Sequence, residues 1–328
     1  MTIDSSAAPE HQNAAASVQR WLEQFRSCAS QGQLATYIPA LADNNPTDLG
    51  ICLIGREGQT IRAGEWNTPF TLQSVSKVIS FLVACITRGV PYVLDRVDVE
   101  PTGDPFNSII RLETNKPGKP FNPMINAGAI TVASMLPGDT VEEKVEHILH
   151  LLERFVGKRL AINEDVFESE WGTAHRNRSL AYYLKAIGYL EADVEVALEV
   201  YLKQCAIEVT AEDLAQIGLV LSCDGIHPWT HEQIIPVEVA KMTKALMLTC
   251  GMYNASGKFA AFVGLPAKSG VAGGILVTVP PRVADQDLPF LSGCGIGIYG
   301  PSIDECGNSV AGVKLLKHIS REWKMSIF

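Results

Sequence analysis

Several common signatures are missing from this 328-residue chain. None of its eight cysteines pairs with another at Cys-x-x-Cys spacing, which disfavours a zinc site or a disulfide framework. No apolar run is long enough to cross a bilayer. The first residues are polar, without the basic-then-apolar pattern of a secretory leader. There is no internal repeat, and no Gly-x-Ser-x-Gly elbow of the kind that seats a Ser-His-Asp nucleophile. Basic residues are outnumbered: a net charge of −9 argues against non-specific nucleic-acid binding. A soluble, cytoplasmic protein is the expectation, with neither membrane nor nucleic acid as partner.

What remains is ample for folding. The chain is 47% hydrophobic and 19% charged, enough for a sizeable core in two folding units. Residues 1–16 read as a flexible tail. Val18, Trp21, Leu22 and Phe25 recur at helical spacing and predict a helix to about Gln31. Leu49 to Ile54 and Thr60 to Glu65 read as strands around a turn. An apolar helix follows Ser74 and ends at Gly89 and Pro91. Residues 98–123 are rich in Pro, Gly and Asn and read as a long loop. Asp139 to about Leu221 is mostly helical, with Thr210 and Asp213 as a capping box. Strands are predicted before Pro280 and over Cys294 to Tyr299, then a helix over Asn308 to Trp323. Early and late strands can share one antiparallel sheet covered by the first and last helices. The predicted division is 17–73 with 260–328 as an α/β sheet unit and 74–259 as a helical unit, an α+β architecture.

The chemistry concentrates at Gln73-Ser74-Val75-Ser76-Lys77. On a helix, positions 74 and 77 lie about a turn apart on one face. A neutral lysine there can take the proton of a serine hydroxyl, and a helix N-terminus offers N–H groups to an anion. The bland alternative is an N-capping serine beside a solvated lysine. Lys268-Ser269-Gly270 supplies a second cation and a strand edge, similar to the Lys-Thr-Gly of serine β-lactamases and penicillin-binding proteins. A second cation and partial burial would lower the pKa of Lys77. Two decoys are set aside. Gly295-Ile296-Gly297-Ile298-Tyr299-Gly300 fits a dinucleotide fingerprint but is itself the strand. Gly251 to Lys258 has the wrong spacing for a phosphate loop.

Taken with Asn122 to Ile130, Cys205 to Thr210, Cys250-Gly251-Met252-Tyr253 and Gly264 to Ile275, the chain from about Tyr37 onward resembles the serine-dependent glutaminases, which have a β-lactamase/DD-peptidase-like fold. The resemblance implies hydrolysis of the side-chain amide of L-glutamine, without a cofactor or metal, by a homodimer or homotetramer. It makes Ser74 the nucleophile, Lys77 its base and Tyr253 a proton-transfer partner. The N–H groups of Ser74 and Val271 become the oxyanion hole, with Lys268 in support. Tyr37, Asn126, Glu170, Asn177 and Tyr201 become substrate contacts, joining Ser74, Tyr253 and Val271. Ordinary roles compete for each: Asn126 as a helix cap, Glu170 as an exposed carboxylate, Tyr201 as a core ring. Two rivals stand beside this reading, a β-lactam-acting enzyme lacking Ser-Asp-Asn and a non-catalytic amino-acid sensor. Glutamine and asparagine differ by one methylene, worth only about 1–3 kcal/mol of discrimination.

Overall fold

Strand β1, Gly50–Gly55, is buried at every residue, and the main sheet is built outward from it. The other strands are β2 (Thr60–Gly64), β3 (Phe70–Thr71), β4 (Glu208–Val209), β5 (Ala267–Ser269), β6 (Gly274–Val279) and β7 (Cys294–Tyr299). In the computed structural model, which describes residues 9–105, 107–114, 118–283 and 288–328, five of them form one antiparallel sheet in the order β2-β1-β7-β6-β5. Both early and late strands are therefore needed before the sheet exists. Strands β3 and β4 make a separate two-stranded ladder.

Period-two alternation decides what covers each face. From β1 and β7, Ile51, Leu53, Ile296 and Ile298 face a cluster containing Val18 and Leu22 of the helix Pro9–Arg26 and Leu315 and Ile319 of Val310–Glu322. The opposite face carries Cys52 and Ile54, which pack with Ala211, Ala215 and Leu219 of the helix Ala211–Ser222. That helix lies against bare backbone. A Cβ on Gly297 would stand 1.8 Å from the Ala211 carbonyl oxygen, and one on Gly295 the same distance from that of Ala215. The glycine alternation of β7 is thus a helix seat. The helix was expected in the helical unit; its packing puts it on the sheet.

The helix Ser76–Arg88 is buried from Ser76 through Cys85. It is packed by Asn126–Met135, itself buried at every position, and by Val141–Val156. Being surrounded by apolar partners, it is a rigid base for what sits at its N-terminus. It stops at Gly89, whose φ of 84° suits a residue without a Cβ. The capping box of Thr210 and Asp213 forms as expected.

Three local expectations change. The first helix begins at Pro9, so Glu10 to Ala16, expected in a flexible tail, are helical. Residues Ile110–Thr114 form a short helix inside the expected loop. The segment 98–100 also pairs with 120–121, Asp98 N–H to Pro120 O and Glu100 N–H to Phe121 O. No helix among the described residues is long and apolar enough to cross a membrane.

Candidate active site

Ser74 sits where the β3–β4 ladder gives way to the buried helix. The Leu72 N–H donates to Ile207 O at 2.8 Å, and the chain then turns through Gln73 at φ 48°. A non-glycine residue in that region costs on the order of 1–3 kcal/mol, and the surrounding bonds must hold it. Gln73–Val75 is a single 3₁₀ turn leading into Ser76–Arg88. Ser74 is 8% exposed. Ser76 is not a rival hydroxyl: its Oγ donates to Gln73 O at 2.7 Å and lies 3.8 Å from Cys205 Sγ.

Lys77 is fully buried, and its Nζ donates to Asn126 Oδ1 at 2.6 Å. Asn126 in turn donates Nδ2 to Asn177 Oδ1 at 3.0 Å. Asn126 is therefore no helix cap; Asn122 shapes the turn before that helix, its Oδ1 accepting from the Met124 and Ile125 N–H groups. The Tyr201 ring lies 5.8 Å from Lys77 Nζ. Burial pulls the Lys77 pKa down to about 8, because a dry site penalises the ammonium. Burial, and after it the charge of Lys77, holds Lys268 well below the usual lysine range. Lys268 Nζ donates to Ser269 O and lies 4.3 Å from the centre of the Tyr253 ring.

The Tyr253 hydroxyl donates to Ser269 O at 3.2 Å and is within hydrogen-bonding reach of the Ser74 side chain. Tyr253 is also left-handed, at φ 52°. Burial raises its pKa, so the phenol stays protonated. Beside it runs the edge of β5. A Cβ on Gly270 would lie 2.5 Å from Leu72 O and 3.4 Å from the Ser74 nitrogen, so only glycine lets this strand approach the serine so closely. The next residue, Val271, is buried. The Ser74 and Val271 N–H groups donate to no acceptor among the described residues. Buried donors left this way carry a cost unless a ligand oxygen takes them.

The remaining predicted residues form a more open wall. Glu170, on the helix Glu164–Thr173, is half-buried and accepts from Gln73 Nε2 at 3.1 Å. Burial raises its pKa to about 7, against the opposing pull of Gln73 and Lys77. Tyr37 is 59% exposed and near enough to Glu170 to feel its charge. Its loop is tied to that helix by Ala40 N–H donating to Ser169 Oγ at 3.4 Å. Asn177 is half-buried, and no acceptor among the described residues takes its Nδ2. A cavity of about 510 Å³ adjoins this cluster. Its walls include Tyr253, Asn122 and Ile125 but not Ser74, Lys77 or Glu170. Among the described residues, no three His, Cys, Asp or Glu side chains are grouped to hold a metal ion.

The Glutaminase family model matches residues 32–328. The chain belongs to the glutaminase family. Glutaminase 1 of Bacillus subtilis (strain 168) is 64% identical over 322 residues, covering 97% of this chain and 98% of that protein. The crystal structure of a probable Bacillus subtilis glutaminase superposes with a TM-score of 0.91 at 63% identity, covering 96% of this chain and 98% of that one. A covalent complex between a Bacillus subtilis glutaminase and 5-oxo-L-norleucine, formed by reaction with 6-diazo-5-oxo-L-norleucine, superposes at 0.88 with 59% identity, covering 96% of this chain and all of that one. The chain has the serine-dependent, β-lactamase-like glutaminase fold, and it is an enzyme of that kind.

Within this glutaminase fold two participants escaped the sequence reading. Gln73 stood inside the quoted motif, yet its bond to Glu170 spans 97 positions. Asn308 carried no motif at all and bonds to Ser269 Oγ, 39 positions away.

Proposed function

We propose that the protein hydrolyses the side-chain amide of L-glutamine to L-glutamate and ammonia through an acyl-enzyme on Ser74. One observation carries this reading. Lys77 is buried, depressed to about 8 and hydrogen-bonded to Asn126 at the helix end that presents Ser74. At neutral pH a usable fraction of Lys77 is the free amine, which is what a serine hydroxyl needs beside it.

The steps follow from that. Lys77 Nζ takes the Ser74 hydroxyl proton, with Tyr253 as a relay. Ser74 Oγ bonds to the amide carbon, and the amide oxygen becomes an oxyanion held by the Ser74 and Val271 N–H groups. Collapse breaks the C–N bond as the proton passes from Lys77 through Tyr253 to the leaving nitrogen, releasing ammonia. Water then attacks the ester, giving its proton to Lys77. The second collapse breaks the C–Oγ bond, and the proton returns to Ser74. The sum is amide plus water to acid plus ammonia.

Recognition falls to the open wall. Glu170, when ionised, pairs with the substrate ammonium, and the amide of Asn177 donates to the substrate carboxylate. Tyr201 closes the site beneath, and Tyr37 covers its mouth. The covalent reaction of a similar glutaminase with 6-diazo-5-oxo-L-norleucine supports a nucleophile in this fold. The same reading carries a cytoplasmic homodimer or homotetramer in glutamine catabolism, testable by light scattering and cell fractionation.

The test is release of ammonia and glutamate from L-glutamine by the purified chain, with Ser74→Ala alongside. Equal amounts of both products from the wild type are expected, with a loss of at least about 1,000-fold in the variant. Substantial turnover by a folded Ser74→Ala enzyme would remove the nucleophile assignment.

A further inference from the structure

Behind Tyr253 and Val271 lies the loop 304–308, which contributes nothing to the reaction scheme above. Its backbone is wound around one carboxylate: Asp304 Oδ1 accepts from the Cys306 N–H at 2.9 Å and the Asn308 N–H at 3.0 Å. Gly307, at φ 99°, faces the site. A Cβ there would stand 3.2 Å from Tyr253 Cε2 and 3.3 Å from Val271 Cγ1, so this loop backs onto both residues. Asn308 follows, 1% exposed. Its Oδ1 accepts from Ser269 Oγ at 2.6 Å, and its Nδ2 donates to Met252 O at 3.3 Å. One amide thus joins the β5 edge to the residue before Tyr253.

The consequence turns on a single proton. A phenol has one O–H to donate and lone pairs with which to accept. Tyr253 gives its proton to Ser269 O. Toward Ser74 the phenolic oxygen therefore presents a lone pair that can take the Ser74 proton, the phenol's own proton then turning from Ser269 O to Lys77. That polarity lasts only while the Ser269 peptide keeps its place relative to the Tyr253 turn. The Ser269 N–H bond to Gly251 O, at 3.2 Å, fixes one end of this arrangement. The Asn308 bridge fixes the other.

We propose that Asn308 is a positioning residue for the reaction: by bridging Ser269 and Met252 it orients the Tyr253 hydroxyl so that its oxygen accepts from Ser74. The proposal rests on the acyl-enzyme reading, and its test separates the two. Full-length Asn308→Ala, Ser269→Ala, the double variant and Ser74→Ala are compared for kcat, KM and thermal midpoint, with assays well below the lowest midpoint. Asn308→Ala is expected to lose roughly 10- to 100-fold in kcat with KM within about twofold, the size of effect a small misplacement produces. Ser269→Ala removes the same bridge, together with the Ser269 side-chain contact to Tyr253, while keeping the carbonyl, and is expected to lose kcat in the same direction. The double variant should be no slower than Ser269→Ala, because Asn308→Ala then has no bridge left to cut. Variants that melt earlier but keep wild-type kcat would overturn the proposal, as would losses that simply multiply. If Asn308→Ala does not fold, Ser269→Ala decides alone, and an unchanged kcat overturns it. Turnover by Ser74→Ala would instead bring down the acyl-enzyme reading, whatever the Asn308 variants do.

Discussion

The two walls of the site are built differently. On one side Ser74, Lys77, Tyr253, Lys268 and Val271 are all buried, and the two lysines and the tyrosine are hydrogen-bonded. On the other, Glu170 and Asn177 are half-buried and Tyr37 is exposed. The first wall needs dryness: water beside Lys77 would restore its ammonium and cost the base. The second, on the proposed reading, must take in and release a charged amino acid, and a fully dry carboxylate there would be protonated. Glu170, already raised to about 7, is near that limit. On the proposed mechanism, the reacting groups are preorganised by burial, and the recognising groups stay partly wet so that their charges survive.

Lys77→Met should break the contrast most severely. It keeps the apolar stem and deletes the amine, and a loss of about 100- to 10,000-fold in kcat is expected, the range a general base supplies. The wild-type pH profile should show the same group. With a pKa of about 8 in the free enzyme, only about a tenth of Lys77 is neutral at pH 7, so kcat/KM should rise with pH through about 8. A flat wild-type profile between pH 6 and 9 would contradict the role of Lys77.

Glu170→Gln tests the wet wall and should act chiefly on KM. Charge-assisted hydrogen bonds are worth about 1.5–3 kcal/mol, so KM should rise by about 10- to 100-fold. If the ionised form of Glu170 is the one that binds, as proposed, KM should fall as pH rises through about 7. An unchanged KM in the variant would argue against the ammonium contact. Tyr37→Phe should have the smallest effect, about 2- to 10-fold, because the half-exposed ring stays and one neutral hydrogen bond is worth only about 0.5–1.5 kcal/mol net. A much larger loss would show that the mouth closes over the substrate.

The sequence was most legible where the governing interactions are local. The Thr210 capping box joins residues three apart, and Gly89 stops its helix by its own backbone freedom. Strand β7 announced itself by alternation and came out with the predicted limits. The alternation could not say why glycine recurs there, since the reason is the helix Ala211–Ser222, some 80 positions earlier. The first helix was placed too late because Ala, Ser and Asn near a terminus look like a tail until Val18 and Leu22 have a sheet to bury against. Asn126 illustrates the limit for the site. Its position before a small-residue helix fits a cap, and only the arrival of Lys77 shows that its oxygen serves another partner.

By itself, then, the sequence determined the elements and the chemical kinds of group available: a serine and a lysine three apart, a Lys-Ser-Gly edge, and segments shared with one family. Tertiary structure decided which groups are dry and which meet. The Lys77 pKa comes from the helices packed around it, and the bonds from Gln73 to Glu170 and from Asn308 to Ser269 and Met252 cross long stretches of chain. Burial and hydrogen-bond direction belong to three-dimensional neighbours, so no reading confined to short windows of sequence can contain them.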